Sequence, residues 1–297
     1  MKQLFANCSV CFVVYSFFLL TTACKKTDHW NKPCCFEGPA CNAQTMMVAP
    51  RDCTYTGGAY SKPYKFTKTY GPDGRVNYLD GYEGPFWGGP FFTGTVHYQR
   101  KRVYMLDVNS RDTIMTADLN DCGQPVRARA TYNTPWTDSS AWLYVFLYDQ
   151  KGRLSQLQRD NQSNPFNPII YTYEYDRYDN IIRIADITFH AEEIRYIYDY
   201  SRPIKGGYYD SGSGSGMGDH IWEILGDLHT QPHHIMTKII STGVGNGAWA
   251  YENQVVNADG YLVYYEANIY DYIGGGIKVT LLWNCGKSHS HNAPGKS

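Results

Sequence analysis

A few clusters of side chains in this sequence carry groups that could do chemistry. His233-His234, in TQPHHIM, offers two imidazoles, the side chains best suited to proton transfer or metal binding near neutral pH. Adjacent residues of an extended strand point to opposite faces, so these two cannot chelate one ion. Glu192-Glu193 offers two carboxylates, either of which could be half of a glycosidase pair. The same alternation makes them diverge, and no partner carboxylate is marked by spacing. His289 and His291 lie in a polar segment, 287–297, that fits a solvated tail better than a metal site. The chain has no G-x-S-x-G, H-E-x-x-H, Walker loop or dinucleotide fingerprint. No catalytic residue, metal or cofactor is therefore assigned, and a glycan-active hydrolase of the envelope is kept as the enzymatic alternative.

Aromatic residues offer a different chemistry. GYEGPFWGGPFFTG, residues 81–94, sets Phe86, Trp87, Phe91 and Phe92 among glycines and prolines. Rings on an irregular loop have no strand face to fill, so they either cap the core or meet a ligand. A sugar chain is the ligand that flat rings suit. Nucleic acid is excluded as a partner by the charge: 27 basic against 28 acidic residues give a net charge of −1.

The amino terminus reads MKQLFANCSVCFVVYSFFLLTTACKK. One lysine precedes an apolar run from Leu4 to Leu20, followed by small residues and Cys24, the layout of a secretory signal peptide over 1–23. Thr21-Thr22-Ala23-Cys24 resembles the bacterial lipobox, in which small residues precede a cysteine that is acylated and becomes the first residue of the mature chain. Thr21 stands where leucine is usual. An acylated Cys24 anchors stably, because more than one fatty chain is attached. Of the nine cysteines, Cys8 and Cys11 leave with the signal. Cys34, Cys35, Cys41, Cys53, Cys122 and Cys285 form an even set in an exported chain, which favours disulfides. The expected pair among them is Cys122–Cys285. Four of the six crowd into 34–53, so residues 24–54 read as a lipidated, cysteine-rich stalk; His29 nearby does not complete a metal-ligand spacing.

The elements that would position any site are hairpins. Tyr148-Asp149-Gln-Lys-Gly152-Arg153-Leu154 recurs as Tyr70-Gly-Pro-Asp-Gly74-Arg75-Val76, Leu119-Asn120-Asp-Cys-Gly123-Gln-Pro125, Tyr175-Asp176-Arg-Tyr-Asp179-Asn180-Ile181, Tyr198-Asp199-Tyr-Ser-Arg-Pro-Ile204 and Val256-Asn257-Ala-Asp-Gly260-Tyr261-Leu262. Asp or Asn in the second place can accept bonds from backbone amides further along the turn. Glycine in the fifth can take positive φ, closing a short loop with a bulge. Asp149, Gly152, Gly74, Gly123 and Gly260 are accordingly turn residues. Calcium ligation by the aspartates is disfavoured, since each turn offers too few oxygens.

Between the turns the pattern is that of strands. Ile169, Tyr171, Tyr173 and Tyr175 share one face; Ile277, Val279, Leu281 and Trp283 share another. Trp142, Tyr144 and Phe146 back onto Leu143, Val145 and Leu147, which predicts a strand covered on both faces. One helix is expected over 219–229, with Asp219 as N-cap after the Gly-Ser loop 211–218, placed to plug the end of a curled sheet. The expected fold is all-β: an antiparallel up-and-down meander over 55–286 that curls into a sheet or barrel-like shell.

The Y-D-x-x-G-R-L phrase resembles the YD repeat of Rhs-type shells. With the lipobox, the spaced hairpins and the ending PHHIMTKIISTGVGNGAWAYENQVVNADGYLVYYEANIYDY, the chain resembles a Bacteroidetes lipoprotein family of unknown function with a porin-like β fold. The resemblance covers roughly 55–285, in the way repeat signals extend. It implies a shell-like fold and transfers no catalytic residues. Such lipoproteins carry an acidic run after the lipidated cysteine when exported to the surface. Lys25-Lys26-Thr27-Asp28 is not one, which favours the periplasmic face of the outer membrane. The expected protein is a lipid-anchored envelope module that binds a glycan or an envelope protein, or serves as a scaffold. A membrane-spanning barrel is the other alternative; the hydrophilic ending Asn292–Ser297 argues against it.

Overall fold

The computed structural model of the protein describes residues 42–50, 64–71, 75–81, 93–134, 137–161, 168–189, 192–207, 232–243, 247–269 and 276–284. The alternating segments are strands, in order β1 (Asn42–Pro50), β2 (Tyr64–Tyr70), β3 (Val76–Gly81), β4 (Thr93–Gln99), β5 (Arg102–Asp107), β6 (Thr113–Leu119), β7 (Pro125–Thr134) and β8 (Thr137–Tyr148). They continue as β9 (Leu154–Asn161), β10 (Ile169–Tyr175), β11 (Ile181–Asp186), β12 (Glu192–Pro203), β13 (His234–Gly243), β14 (Gly247–Val256), β15 (Leu262–Ile269) and β16 (Gly276–Asn284). Each pairs antiparallel with its neighbours in sequence, and β1 pairs with both β2 and β16, so the meander closes into a barrel. Closure removes the exposed edges that an open meander would leave. No helix occurs among the described residues; the helix expected over 219–229, Cys24 and the other stalk cysteines, and the loop bearing Phe86, Trp87, Phe91 and Phe92 lie outside them. β1 falls inside the segment expected to be stalk, so the sheet begins by Asn42. Backbone pairing on both sides makes this segment a strand where its own periodicity is weak.

Side-chain alternation sorts the barrel into two unlike faces. One inner row runs Met105, Met115, Ala130 and Trp142 across four paired strands; another runs Tyr173, Ile184 and Ile194. Leu79, Val103, Leu154, Ile235, Leu262, Tyr265, Ile277 and Val279 are wholly buried on this face. Burying one such side chain contributes roughly 1.5–3 kcal/mol, so the inner face is the core that holds the ring. Lys68, Asn180 and His234 are buried polar exceptions. The outer face is charged. Arg183 bonds Glu174 at 2.5 Å and Glu193 at 2.7 Å, and Arg195 also pairs with Glu193, across β10, β11 and β12.

β8 departs from its expected double cover. Its inner residues Tyr144 and Phe146 are buried, but Leu147 on the outer face is 49% exposed, and Leu143 and Val145 are half-buried. Their cross-strand neighbours on that face are Arg127, Arg129, Gln156, Gln158 and Asp160, and among the described residues no second layer covers Leu147. Apolar residues on both faces thus did not mean burial on both.

The repeat turns all lie at one end of the barrel, joining β2–β3, β6–β7, β8–β9, β10–β11 and β14–β15. In each, the second residue donates its amide to the carbonyl of the sixth, at 2.8–2.9 Å. The second side chain closes the loop from within: Asp149 Oδ1 accepts from the amides of Lys151 and Arg153, and Asn120 Oδ1 from those of Cys122 and Gln124. Gly152, at φ 78°, carries the left-handed corner, as do Gly123 and Gly260. Gly74 lies outside the described residues. The copy at 198–204 makes no such turn. β12 runs on to Pro203, and Ile204 to Gly206 cross to the β14–β15 turn, where the Lys205 amide bonds Gly260 O and Leu262 donates to Gly206 O.

The first residue of the repeat does more than begin a hairpin. Tyr148 donates its hydroxyl to Pro125 O at 2.7 Å, Tyr175 to Leu154 O at 2.8 Å, and Tyr198 to Ile181 O at 2.8 Å. Each acceptor is the seventh residue of the preceding copy. Trp283 Nε1 plays the same part toward Leu262 O, at 2.6 Å. Every such bond pins one hairpin to the exit of the one before it. The sixth residue adds a second link: the guanidinium of Arg153 lies 4.3 Å from the Tyr175 ring centre, and that of Arg75 5.0 Å from Tyr98. Burial pushes the Tyr148 and Tyr175 hydroxyls well above the ordinary phenol range, so both stay protonated as donors.

Tyr148→Phe and Tyr175→Phe should each lower unfolding free energy by about 1–3 kcal/mol, because a half-buried carbonyl loses its donor. Gly152→Val should cost about 1–3 kcal/mol from backbone strain. Urea denaturation measures all three. The raised phenol pKa values mean that the tyrosine contribution is complete below about pH 10 and is lost as pH rises beyond it. Tyr175→Phe should therefore lose less stability than the natural chain on going to strong alkali.

Candidate functional site

The β10–β11 turn is built differently from the others. Its fifth place holds Asp179 at φ 65°, a left-handed corner made without glycine. Asp179 uses its carboxylate to tie down the neighbouring turn, accepting from Arg153 at 2.5 Å and Lys151 at 3.2 Å. Arg153 also bonds Asp149 Oδ2 at 2.6 Å. Burial alone would raise the Asp149 carboxyl, but its bonds from Arg153 outweigh this and hold it low.

The sixth place holds Asn180, which has no exposed surface. Its amide nitrogen donates to Asp176 Oδ2 at 2.8 Å and lies 3.1 Å from His234 Nδ1; its oxygen accepts from the His233 amide at 2.7 Å. The His233 N–H can only donate, so the Asn180 oxygen must face it and the Asn180 NH2 must face His234. His234 Nδ1 is therefore the acceptor, which places the ring proton on Nε2. Asp176 sits under opposing influences: burial raises its carboxyl, and hydrogen bonds from Asn180, the Tyr200 hydroxyl and the Tyr178 amide together bring it below the usual range.

The fourth place holds Tyr178. Its ring centre lies 4.7 Å from that of His234 and 5.7 Å from that of Tyr200, which is itself 5.2 Å from His234. Arg177 donates to the Tyr178 hydroxyl at 2.6 Å and lies 4.6 Å from its ring centre. The Tyr200 hydroxyl is bound to Asp176, and burial together with that carboxylate raises its pKa. Tyr178 is 39% exposed and Tyr200 48%. The arrangement is a pair of held aromatic rings against a buried imidazole, and no metal-ligating cluster occurs among the described residues.

Other residues singled out from the sequence fall elsewhere. His233 is exposed while His234 is buried, and Glu193 belongs to the outer ion-pair ladder. The structure brings neither pair together. The aromatic cluster escapes a reading of motifs, because His234 reaches Asn180 across 54 residues. A signal was nonetheless present: Asp179 and Asn180 are two successive departures from the repeat's Gly-Arg, beside an aromatic Tyr178 at an unspecified place.

Comparisons with known proteins bear on the fold. No family model matches the sequence, and no curated protein matches it. Among solved structures, a porin-like protein from Bacteroides uniformis overlays 82% of this chain on 98% of its own, with a TM-score of 0.56 and 13% identity. A porin-like protein from Bacteroides vulgatus overlays 82% on 99%, with a TM-score of 0.50 and 12% identity. The chain thus shares its barrel fold with these porin-like proteins.

Asn180→Ala should destabilise the protein by at least about 2 kcal/mol, since it leaves buried donors and acceptors without their partner. Urea denaturation reads this. A change below about 0.5 kcal/mol, the range of an ordinary surface substitution, would contradict the network.

Proposed function

We propose that the protein is a non-catalytic module of the bacterial cell envelope, held at the outer membrane by a lipid on Cys24, with its barrel in the aqueous phase. The observation that carries this reading is the polarity of the two barrel faces. A barrel that spans a membrane turns an apolar band outward and a polar wall inward, and a Lys or Arg on the lipid face at mid-depth costs about 2–4 kcal/mol. Here Tyr144, Leu157, Ile184, Tyr265 and Val279 face inward, while Arg127, Arg129, Glu174, Arg183, Arg195 and Lys278 stand on the outer face. That arrangement favours a water-exposed shell, and the signal-like segment 1–23 with Thr21-Thr22-Ala23-Cys24 supplies the tether. The porin-like neighbours support a place in the envelope only through the shared fold.

The test exchanges residues 1–23 for a non-lipoprotein export signal and replaces Cys24→Ala. The natural protein should incorporate radiolabelled palmitate and need detergent for extraction. The altered one should take up no label and appear in the soluble periplasmic fraction with the same melting temperature. An altered protein that still needs detergent would contradict the tethered reading.

In that oxidising compartment Cys34, Cys35, Cys41, Cys53, Cys122 and Cys285 should carry no free thiol, with Cys122 joined to Cys285. Cys122 sits in the β6–β7 turn and β16 ends at Asn284 on the same end of the barrel. Non-reducing peptide mapping checks the pairing; a peptide joining Cys122 to a stalk cysteine would refute it.

A further inference from the structure

We propose that Tyr178 and Tyr200 form a subsite for a neutral pyranose ring of a glycan. The proposal rests on the reading of the protein as a non-catalytic envelope module, and names the class of ligand it would take.

The repeat supplies its own control. In the fourth place, where Tyr178 stands, the other described turns carry Cys122, Lys151 and Asp259; in the third, where Tyr200 stands, they carry Asp121, Gln150 and Ala258. None is aromatic, and all these turns close with the same backbone bonds. The Tyr178 ring is therefore not needed to make its turn, and Tyr200 stands on β12, in the copy that makes no such turn. Two copies of the repeat have instead placed them side by side, 5.7 Å apart and inclined at 35°. Tyr178 is 39% exposed and Tyr200 48%, so both rings are within reach of a ligand.

The hydrogen bonding decides what the pair presents. Arg177 occupies the Tyr178 hydroxyl and Asp176 occupies that of Tyr200. What the pair leaves exposed is the ring surface not covered by Arg177, which lies 4.6 Å from the Tyr178 ring centre, and such π-surface attracts groups with partial positive charge. The axial C–H bonds of a pyranose are such groups, spread over a flat face of matching size. Arg177, Asp199 and Arg202 stand near in sequence and carry groups that can bond sugar hydroxyls, besides their present bonds to Tyr178, Ser201 and Gln254 O. A nucleobase would also stack on tyrosine, but its phosphate backbone requires a basic track. Here Asp176, Asp179 and Asp199 stand among Arg153, Arg177 and Arg202, a mixed set and not a basic track, on a chain of net charge −1. The rings are held in advance by His234 and the wholly buried Asn180, so little freedom is lost on binding.

The mature, acylated protein in micelles of a detergent without a sugar headgroup can be titrated calorimetrically with maltohexaose, mannohexaose, chitohexaose and, separately, a thymidine decanucleotide. At least one hexasaccharide should bind with a Kd of about a millimolar or tighter. Tyr178→Lys, which installs the residue that the β8–β9 turn carries at that place, and Tyr200→Ala should each weaken it by about tenfold or more. Tyr200→Phe keeps the ring and should bind within about threefold of the natural protein; it also serves as the folded variant should Tyr200→Ala not fold. The proposal is overturned by absence of binding to all three sugars. Binding unchanged in Tyr178→Lys, or tighter binding of the decanucleotide than of any sugar, would overturn it equally. Palmitate labelling reads the tether independently, so the failure of either reading leaves the other visible.

Discussion

A tyrosine hydroxyl bonded to the backbone of the preceding hairpin is the interaction on which this barrel depends. A two-stranded hairpin is marginal alone, and a long antiparallel meander must set the register of each hairpin against the next. Tyr148, Tyr175 and Tyr198 set it by reaching back 23, 21 and 17 residues to the exit of the previous copy. The bond fixes position along the strand, because only one register brings the hydroxyl to that carbonyl. Arg153, stacked on Tyr175 and paired with Asp149 and Asp179, adds a charged clasp between the same two turns. The outcome is a rigid turn end on which side chains can be placed to order.

That rigidity is what gives the aromatic cluster its form. Once the clasp holds the β10–β11 turn, Asp179 can occupy a left-handed corner without glycine and Asn180 can be buried. Backbone conformations of this kind persist where the surroundings over-determine them, and they gather at functional sites. Asn180 in turn orients His234, against which Tyr178 and Tyr200 lie. The polarity of the barrel follows from the same repeat. The alternation that sends each repeat tyrosine inward sends Glu174, Arg183 and Arg195 outward, which suits a shell in water.

The hairpins were legible because their determinants are local: an Asp or Asn and a glycine three residues later close a turn wherever they stand. The partners of Tyr148 and Tyr175 were not, because each hydroxyl bond joins one repeat turn to the next and depends on the register of two strands paired over their length. Leu147 shows a different limit. Its apolar outer face implied a covering layer, but whether a second layer exists is a property of the whole fold. β1 is not legible as a strand in the sequence, since its pairing with β2 and β16, not its own periodicity, makes it one. The aromatic cluster was half-legible. Asp179 and Asn180 break the pattern of the repeat in plain view, but nothing local says that His234 and Tyr200 meet this turn.

Hydrogen exchange on Tyr175→Phe tests the back-bonding of hairpins most directly. If Tyr175 secures the hairpin before it, the amides of 148–154, those of Asp149 and Gly152 above all, should exchange faster while the β14–β15 turn keeps its protection. Faster exchange confined to 175–181, or spread evenly around the barrel, would contradict the account.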